Sequence, residues 1–288
     1  MKKIIKTIIL IVVIICIGKV SFKYYQYYKD SKEYSKIQTI KPKINTYDDN
    51  VEVDNTSYDD DIKVDNANIE NKFSEEELLN INSDYKMWIS VNNSNIDYPV
   101  VQGEDNDFYL THSFDKNKNI SGCLYIDSNN DIDTDENIVI YGHHMKNETM
   151  FHNLNYFKEE EFFKENKINI IRNGRQYKYE PFSVYVIPED EAVFNMDFID
   201  DDIYKEYLYN LSSKSYFSSD INLDENSEII TLITCSYEYS GARTVVHGIR
   251  YSWLDKSILW VEKEQVKVFS TYTIYIIVNN KDSFLQRI

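Results

Sequence analysis

Basic residues are in deficit in this chain. It holds 31 Lys and Arg against 48 Asp and Glu, for a net charge of −17 over 288 residues. Binding to phosphate backbones needs a basic footprint, so the balance argues against a nucleic-acid partner. Glycine is also scarce, with seven in all, so each one marks a position worth inspecting. There are three cysteines but no Cys-x-x-Cys pair, and five histidines but no His-Glu-x-x-His run. Those gaps argue against zinc, although His143, His144, His152 and Cys235 are residue types that can hold it. No internal repeat is evident. What the chain has in abundance is aromatic: 25 Tyr and 14 Phe, which favour strands. With 42% hydrophobic residues, it can bury a sizeable core.

Charge is unevenly distributed. Residues 1–45 carry ten Lys against Asp30 and Glu33, and residues 46–71 carry nine acids against Lys63. Met1-Lys2-Lys3 precedes an apolar stretch that is uncharged from Thr7 to Ile17, and no small-x-small cleavage site follows it. The expectation is an uncleaved anchor over residues 1–22, extended by snorkelling of Lys6 and Lys19. The basic end puts the amino terminus in the cytoplasm and the rest of the chain outside. A cleaved export signal gives the same location for the mature chain. Residues 23–72 read as a juxtamembrane helix followed by an acidic tether that cannot bury much.

An ordered domain is expected over residues 73–252. Ser74 and Glu77 form a capping box ahead of Leu78, Leu79 and Ile81. Strand patterns follow at 86–91, 96–101, 122–126, 137–141, 168–172, 176–188, 229–235 and 243–251. Eight short strands with polar turns point to a closed barrel or a sandwich. Helical patterns interrupt them at 156–166 and at 200–211, where Ile203, Tyr207, Leu208 and Leu211 recur at helical spacing. Residues 253–288 are again apolar and β-prone in two stretches; they read as an extra hairpin of unknown role rather than a membrane-surface segment, because Lys263, Glu264 and Lys267 break the hydrophobicity.

Chemistry concentrates at three strand ends. Thr231-Leu232-Ile233-Thr234-Cys235 closes one apolar run, Arg243 opens the next, and Tyr141-Gly142-His143-His144 closes a third upstream. A free thiol is mostly protonated at neutral pH, and an imidazole can take that proton and later deliver it to a leaving amine. A guanidinium is permanently charged and rich in donors for a developing oxyanion. Each residue also has a plainer role: a core cysteine, a turn histidine, a strand-start cation. A Cys123–Cys235 disulfide is an alternative use of the thiol, but an activated nucleophile explains Cys235 better.

Taken together, these motifs resemble a class B sortase. The pattern is Thr-Leu-x-Thr-Cys at a strand end, an Arg on the following strand, and Gly-His ending an earlier strand. Ile140 to Asn147 with Thr149-Met150-Phe151, Tyr98 to Gln102, Asn106, Tyr109-Leu110 and Ser121-Gly122 add to it. The likeness covers about residues 74–252. It implies a mainly β fold: a closed eight-stranded barrel with a few peripheral helices, one N-terminal and one before the cysteine strand. It implies a cysteine transpeptidase that needs no cofactor or metal. Such an enzyme cleaves an Asn-Pro-x-Thr-type sorting signal on secreted proteins and joins the Thr carbonyl to an amine of peptidoglycan or its lipid-linked precursor. By the resemblance Cys235 is the nucleophile, His143 the acid/base and Arg243 the oxyanion stabiliser. Substrate-groove positions map onto Asn106, Leu110, Tyr141, Ile233 and Thr234. His144 is the neighbour, and its replacement by Ala is expected to leave much activity. The alternatives are a secreted cysteine hydrolase, a pilus-type sortase and an inactive anchored binding module. The tail after Tyr251 has no counterpart in the pattern.

Overall fold

The structure is a computed structural model that describes residues 2–42 and 75–251. The acidic tether, the capping residue Ser74 and the expected C-terminal hairpin lie outside the described residues.

Eight strands close into a barrel. They are β1 (Tyr85–Val91), β2 (Asp97–Val101), β3 (Leu124–Ile126), β4 (Asn137–Tyr141), β5 (Ile168–Arg172), β6 (Arg175–Pro188), β7 (Ile229–Cys235) and β8 (Ala242–Arg250). Their order round the barrel is β1-β2-β3-β4-β7-β8-β6-β5. The barrel reading therefore holds over the sandwich. β4 and β7 run parallel, with Tyr141 beside Ile233. β7 and β8 run antiparallel, with Cys235 directly opposite Arg243.

Side chains alternate across each strand, which builds two cores. Ile138, Ile140, Ile230, Leu232 and Val246 join one cluster with Trp88, Ile89 and Leu124. The intervening residues Val139, Ile229, Ile233 and Val245 pack in a second cluster. That outer face is covered by Phe194 and by Tyr204, Leu208 and Leu211 of a helix at Asp201–Ser213. Its N-terminus is capped by Asp200, whose carboxylate accepts from the Asp202 and Ile203 amides.

Other helices differ from the sequence pattern. The stretch expected as one helix near 156–166 divides into a 3-10 segment, His152–Lys158, and a short α-helix, Glu160–Glu165. The helix ahead of the barrel, Glu75–Ile81, buries Leu78 alone; Leu79 and Ile81 face solvent. The expected stripe of three is therefore a single anchor, because one turn of a seven-residue helix meets the barrel.

The N-terminal helix, Lys2–Gln38, is longer than the apolar stretch that begins it. At 1.5 Å per residue it is about 55 Å long. It is long and apolar enough to cross a membrane, a property an export signal shares. Its far end is not free. Tyr34 and Ile37 are buried against the barrel, and Tyr34 meets Tyr98 edge-on at 5.5 Å. The Tyr34 hydroxyl donates to the Gly122 carbonyl. Ser121 Oγ donates to Asp30 at 3.1 Å, and Lys41 pairs with Asp97 at 2.6 Å. A juxtamembrane helix was legible in the sequence; its docking on the barrel was not.

All three cysteines are free, Cys123 buried and Cys235 half-buried. The Cys123 thiol lies against the Pro99 carbonyl, and burial pushes its pKa up to about 12. The Cys123–Cys235 disulfide alternative is thereby dismissed.

Candidate active site

The register of three adjacent strands determines the site. β4 and β7 run side by side, so His143 and Cys235, each two residues beyond the Tyr141–Ile233 pair, leave the barrel at the same end. The antiparallel turn from β7 to β8 brings Arg243 opposite Cys235. Directly opposed residues have Cα atoms about 4.5–5.5 Å apart.

Local packing explains why glycine precedes His143. A Cβ on Gly142 would meet Leu124 at 2.3 Å and the Phe151 ring at 2.7 Å. The chain then turns through a loop closed by Phe151 N–H donating to the His143 carbonyl at 3.0 Å. Gly122 sits on the other side of the imidazole in a left-handed conformation, φ +59°. A Cβ there would lie 2.5 Å from the Tyr109 carbonyl, 3.0 Å from the Leu110 carbonyl and 3.2 Å from His143 Cδ2.

His143 Nε2 is 2.8 Å from the Leu110 carbonyl oxygen. A carbonyl only accepts, so Nε2 carries the proton and Nδ1 retains its lone pair in the neutral ring. That tautomer leaves Nδ1 as the atom able to accept a proton. Arg243 is held by two acceptors: Nη1 donates to the Ala242 carbonyl at 3.2 Å, and Nη2 pairs with Glu189 at 2.6 Å. The remaining donors of the guanidinium stay open to a ligand.

Asn106, Leu110, Tyr141, His143, Ile233, Thr234, Cys235 and Arg243 all line one cavity of about 410 Å³. Each of the eight residues singled out from the sequence is therefore brought to the same place. Asn106 is fixed at both ends of its amide, donating to Asp127 at 3.0 Å and accepting from the Ser128 N–H at 2.8 Å. The Tyr141 hydroxyl donates to the same Asp127 carboxylate, and its ring stacks on Tyr125. Burial, then the neighbouring Asp127 charge, raises the Tyr141 pKa, so the phenol stays a neutral donor. Thr234 Oγ1 donates to the Gly142 carbonyl at 2.8 Å, tying the end of β7 to the end of β4.

Sequence reasoning missed Tyr125, Glu189 and Ala192, which complete the wall. Tyr125 sits one residue from the end of a recognised strand, but its direction depends on barrel register. Glu189 opens an acidic run after β6, and nothing local distinguishes it from its neighbours. It reaches Arg243 because Pro188 pairs with Ala242 across β6 and β8.

His144 faces away from this cavity. Its Nδ1 is 2.8 Å from the Cys235 carbonyl oxygen, and its ring lies against His152 and Tyr237. Burial lowers its pKa, which favours the uncharged imidazole. Among the described residues no three His, Cys, Asp or Glu side chains are grouped as metal ligands.

A sortase-domain family model matches residues 89–250. A curated relative, sortase B of Listeria monocytogenes, is 31% identical over 176 residues, which is 60% of this chain and 72% of the relative. The crystal structure of Clostridium perfringens sortase B is 45% identical with a TM-score of 0.61, covering 62% of this chain and all of that one. A Staphylococcus aureus sortase B–substrate complex is 30% identical with a TM-score of 0.58, covering 62% and 84% of the two chains.

Proposed function

Because the chain belongs to the sortase family as a class B member, a cysteine transpeptidase of the cell wall, we propose that Cys235, His143 and Arg243 carry its chemistry on an Asn-Pro-x-Thr-type sorting signal. The observation that supports this most is convergence: a histidine far upstream joins a cysteine and an arginine of consecutive strands in one cavity at the ends of three adjacent strands.

In this reading the Cys235 sulfur attacks the Thr carbonyl carbon while its proton passes to His143 Nδ1. The oxyanion that forms is stabilised by Arg243, whose orientation Glu189 and the Ala242 carbonyl support. Collapse of the tetrahedral species breaks the C–N bond, and the departing amine takes the proton from His143. A thioester on Cys235 remains. An amine of peptidoglycan or its lipid-linked precursor then attacks that carbonyl, gives its proton to His143 and expels the Cys235 sulfur. Asn106, Leu110, Tyr141, Ile233 and Thr234 form the walls that hold the signal. The S. aureus relative was solved with a substrate, which supports a peptide-binding role for the corresponding groove. The N-terminal helix would serve as the anchor, with the amino terminus cytoplasmic and the barrel outside.

The test is the mass of the enzyme after incubation with an Asn-Pro-x-Thr-x peptide. An acyl adduct on Cys235 is expected, released as an amide when an amine acceptor is added. Cys235→Ala and His143→Ala are expected to form none. Adduct formation by His143→Ala, with none by His144→Ala, would move the acid/base role to His144.

A further inference from the structure

We propose that His144 is a positioning residue for the nucleophile: its imidazole replaces the main-chain donor that β7 loses where β4 leaves it, and so holds the Cys235 peptide in place. This rests on the reading of Cys235 as the nucleophile.

The last bond between these two strands runs from Gly142 N–H to the Ile233 carbonyl, at 3.1 Å. Carbonyls pointing to one edge of a strand recur every second residue, so the next on that edge belongs to Cys235. On the opposite edge the Ser236 N–H reaches Ala242 O at 2.8 Å, so β8 continues to hold the chain from its side. Beyond Gly142 the upstream chain turns away into the 143–151 loop. The donor that meets the Cys235 carbonyl is His144 Nδ1, at 2.8 Å.

The Cys235 carbonyl can only accept, so Nδ1 is the protonated ring nitrogen. Asn155 Nδ2 is 3.1 Å from Nδ1 and 3.3 Å from Nε2. Those near-equal distances seat the Asn155 amide against the ring, and it donates to the His152 carbonyl at 3.2 Å. Asn155 Oδ1 accepts from Thr244 Oγ1 at 2.9 Å, and Thr244 lies 3.0 Å from Ser236 Oγ. Ser236 donates to Glu238, which pairs with Lys158. The Tyr237 hydroxyl donates to the His144 carbonyl at 3.1 Å. One network thus ties the residues that follow Cys235 to the 3-10 segment His152–Lys158.

The groups facing His144 are His152, Lys158, Glu238, Tyr237 and Asn155, and burial is the main influence keeping it neutral. A role that needs the uncharged ring as a fixed donor differs from acid/base work, which needs the proton to come and go.

The two histidines therefore divide the labour: His143 faces the cavity and His144 holds the backbone of its nucleophile. A small displacement of a reacting atom lowers turnover more than binding. His144→Ala should reduce kcat for peptide cleavage about tenfold, with KM within twofold of the parent. His144→Asn, whose amide nitrogen occupies the place of Nδ1, should restore kcat to within about threefold and keep the same pH–rate profile, although it cannot titrate. Asn155→Ala should give a smaller loss of the same kind. Thermal unfolding of each variant accompanies the kinetics, so that lost turnover is separated from lost fold.

Unchanged kcat in His144→Ala would overturn the proposal. So would a His144→Asn variant as impaired as His144→Ala while folded. A folded His144→Asn variant whose residual activity lacks the acidic limb of the profile would instead assign the proton transfer to His144. Failure of the broader reading looks different again: there Cys235→Ala would retain cleavage.

Discussion

Gly122→Ala probes how tightly the candidate site is packed. The added methyl meets the Tyr109 carbonyl at 2.5 Å and the Leu110 carbonyl at 3.0 Å. Ordinary contact needs those backbone atoms to retreat by about 0.5–1 Å. Overpacking of that kind costs about 1–3 kcal/mol. The left-handed φ of +59° adds a backbone cost of about 1 kcal/mol for any residue with a Cβ. The sum, about 3 kcal/mol, corresponds to a fall in Tm of about 6–12 °C for a domain of this size. The Leu110 carbonyl is also the atom that receives His143 Nε2, so the imidazole moves with it. Peptide cleavage should therefore fall about 10- to 100-fold in the folded variant. Gly174→Ala is the control. Its φ is +71°, but its Cβ would meet nothing within 4 Å. It should lose only about 1 kcal/mol, or 2–4 °C, with unchanged cleavage. Calorimetry and peptide kinetics on the two variants decide the matter. Equal melting temperatures together with equal activities would refute the argument that the Tyr109–Leu110 carbonyls fix the imidazole.

Three further outcomes follow from the electrostatics. Burial would raise the Glu238 pKa, but hydrogen bonds from Lys158 and Ser236 outweigh it and bring the value to about 2. A lowered carboxyl pKa contributes stability that is present above its ordinary value of 4.5 and is lost as pH falls toward 2. Parent and Glu238→Gln should thus differ in Tm at pH 6 and converge near pH 2. Glu33, in the seam between the N-terminal helix and the barrel, is raised, chiefly by burial, and its Oε1 has no hydrogen-bond partner. Its contribution is full below the ordinary value and is lost as pH rises through the raised one. Glu33→Gln should therefore flatten the decline in Tm expected of the parent as pH rises above the ordinary carboxyl range. Arg243→Lys should lower kcat about 100-fold, because one ammonium cannot serve Glu189, the Ala242 carbonyl and an oxyanion together. Its Tm should change by no more than about 2 °C, because the Glu189 partner is two-thirds exposed.

Much of the barrel was legible because strands carry their signal locally. The patterns at 137–141, 168–172 and 229–235 coincide with β4, β5 and β7, and the others differ by a residue or two at their ends. Helical signals were weaker where the helix is short. The 156–166 pattern splits at Glu159, whose extended backbone ends the 3-10 segment and opens the next helix. The stripe of Leu78, Leu79 and Ile81 failed for a similar reason, since periodicity states which residues share a face but not how many turns touch the barrel.

For the site, the sequence by itself determined which side chains were available and which strand ends bore them: Cys235, Arg243 and the Gly142-His143 step. Those are local facts, set by residue type and by runs of β-prone residues. Only the tertiary structure decided their relations. The order β4-β7-β8 and its registers set Cys235 against Arg243 and level with His143, and no feature of any one segment encodes that register. The same closure separated His143 from His144, adjacent in sequence yet directed to different partners, the Leu110 carbonyl and the Cys235 carbonyl. It also drew Glu189 to Arg243 and docked Tyr34 behind Gly122. Such contacts join residues tens of positions apart, and they exist only once the barrel has closed and fixed which faces meet.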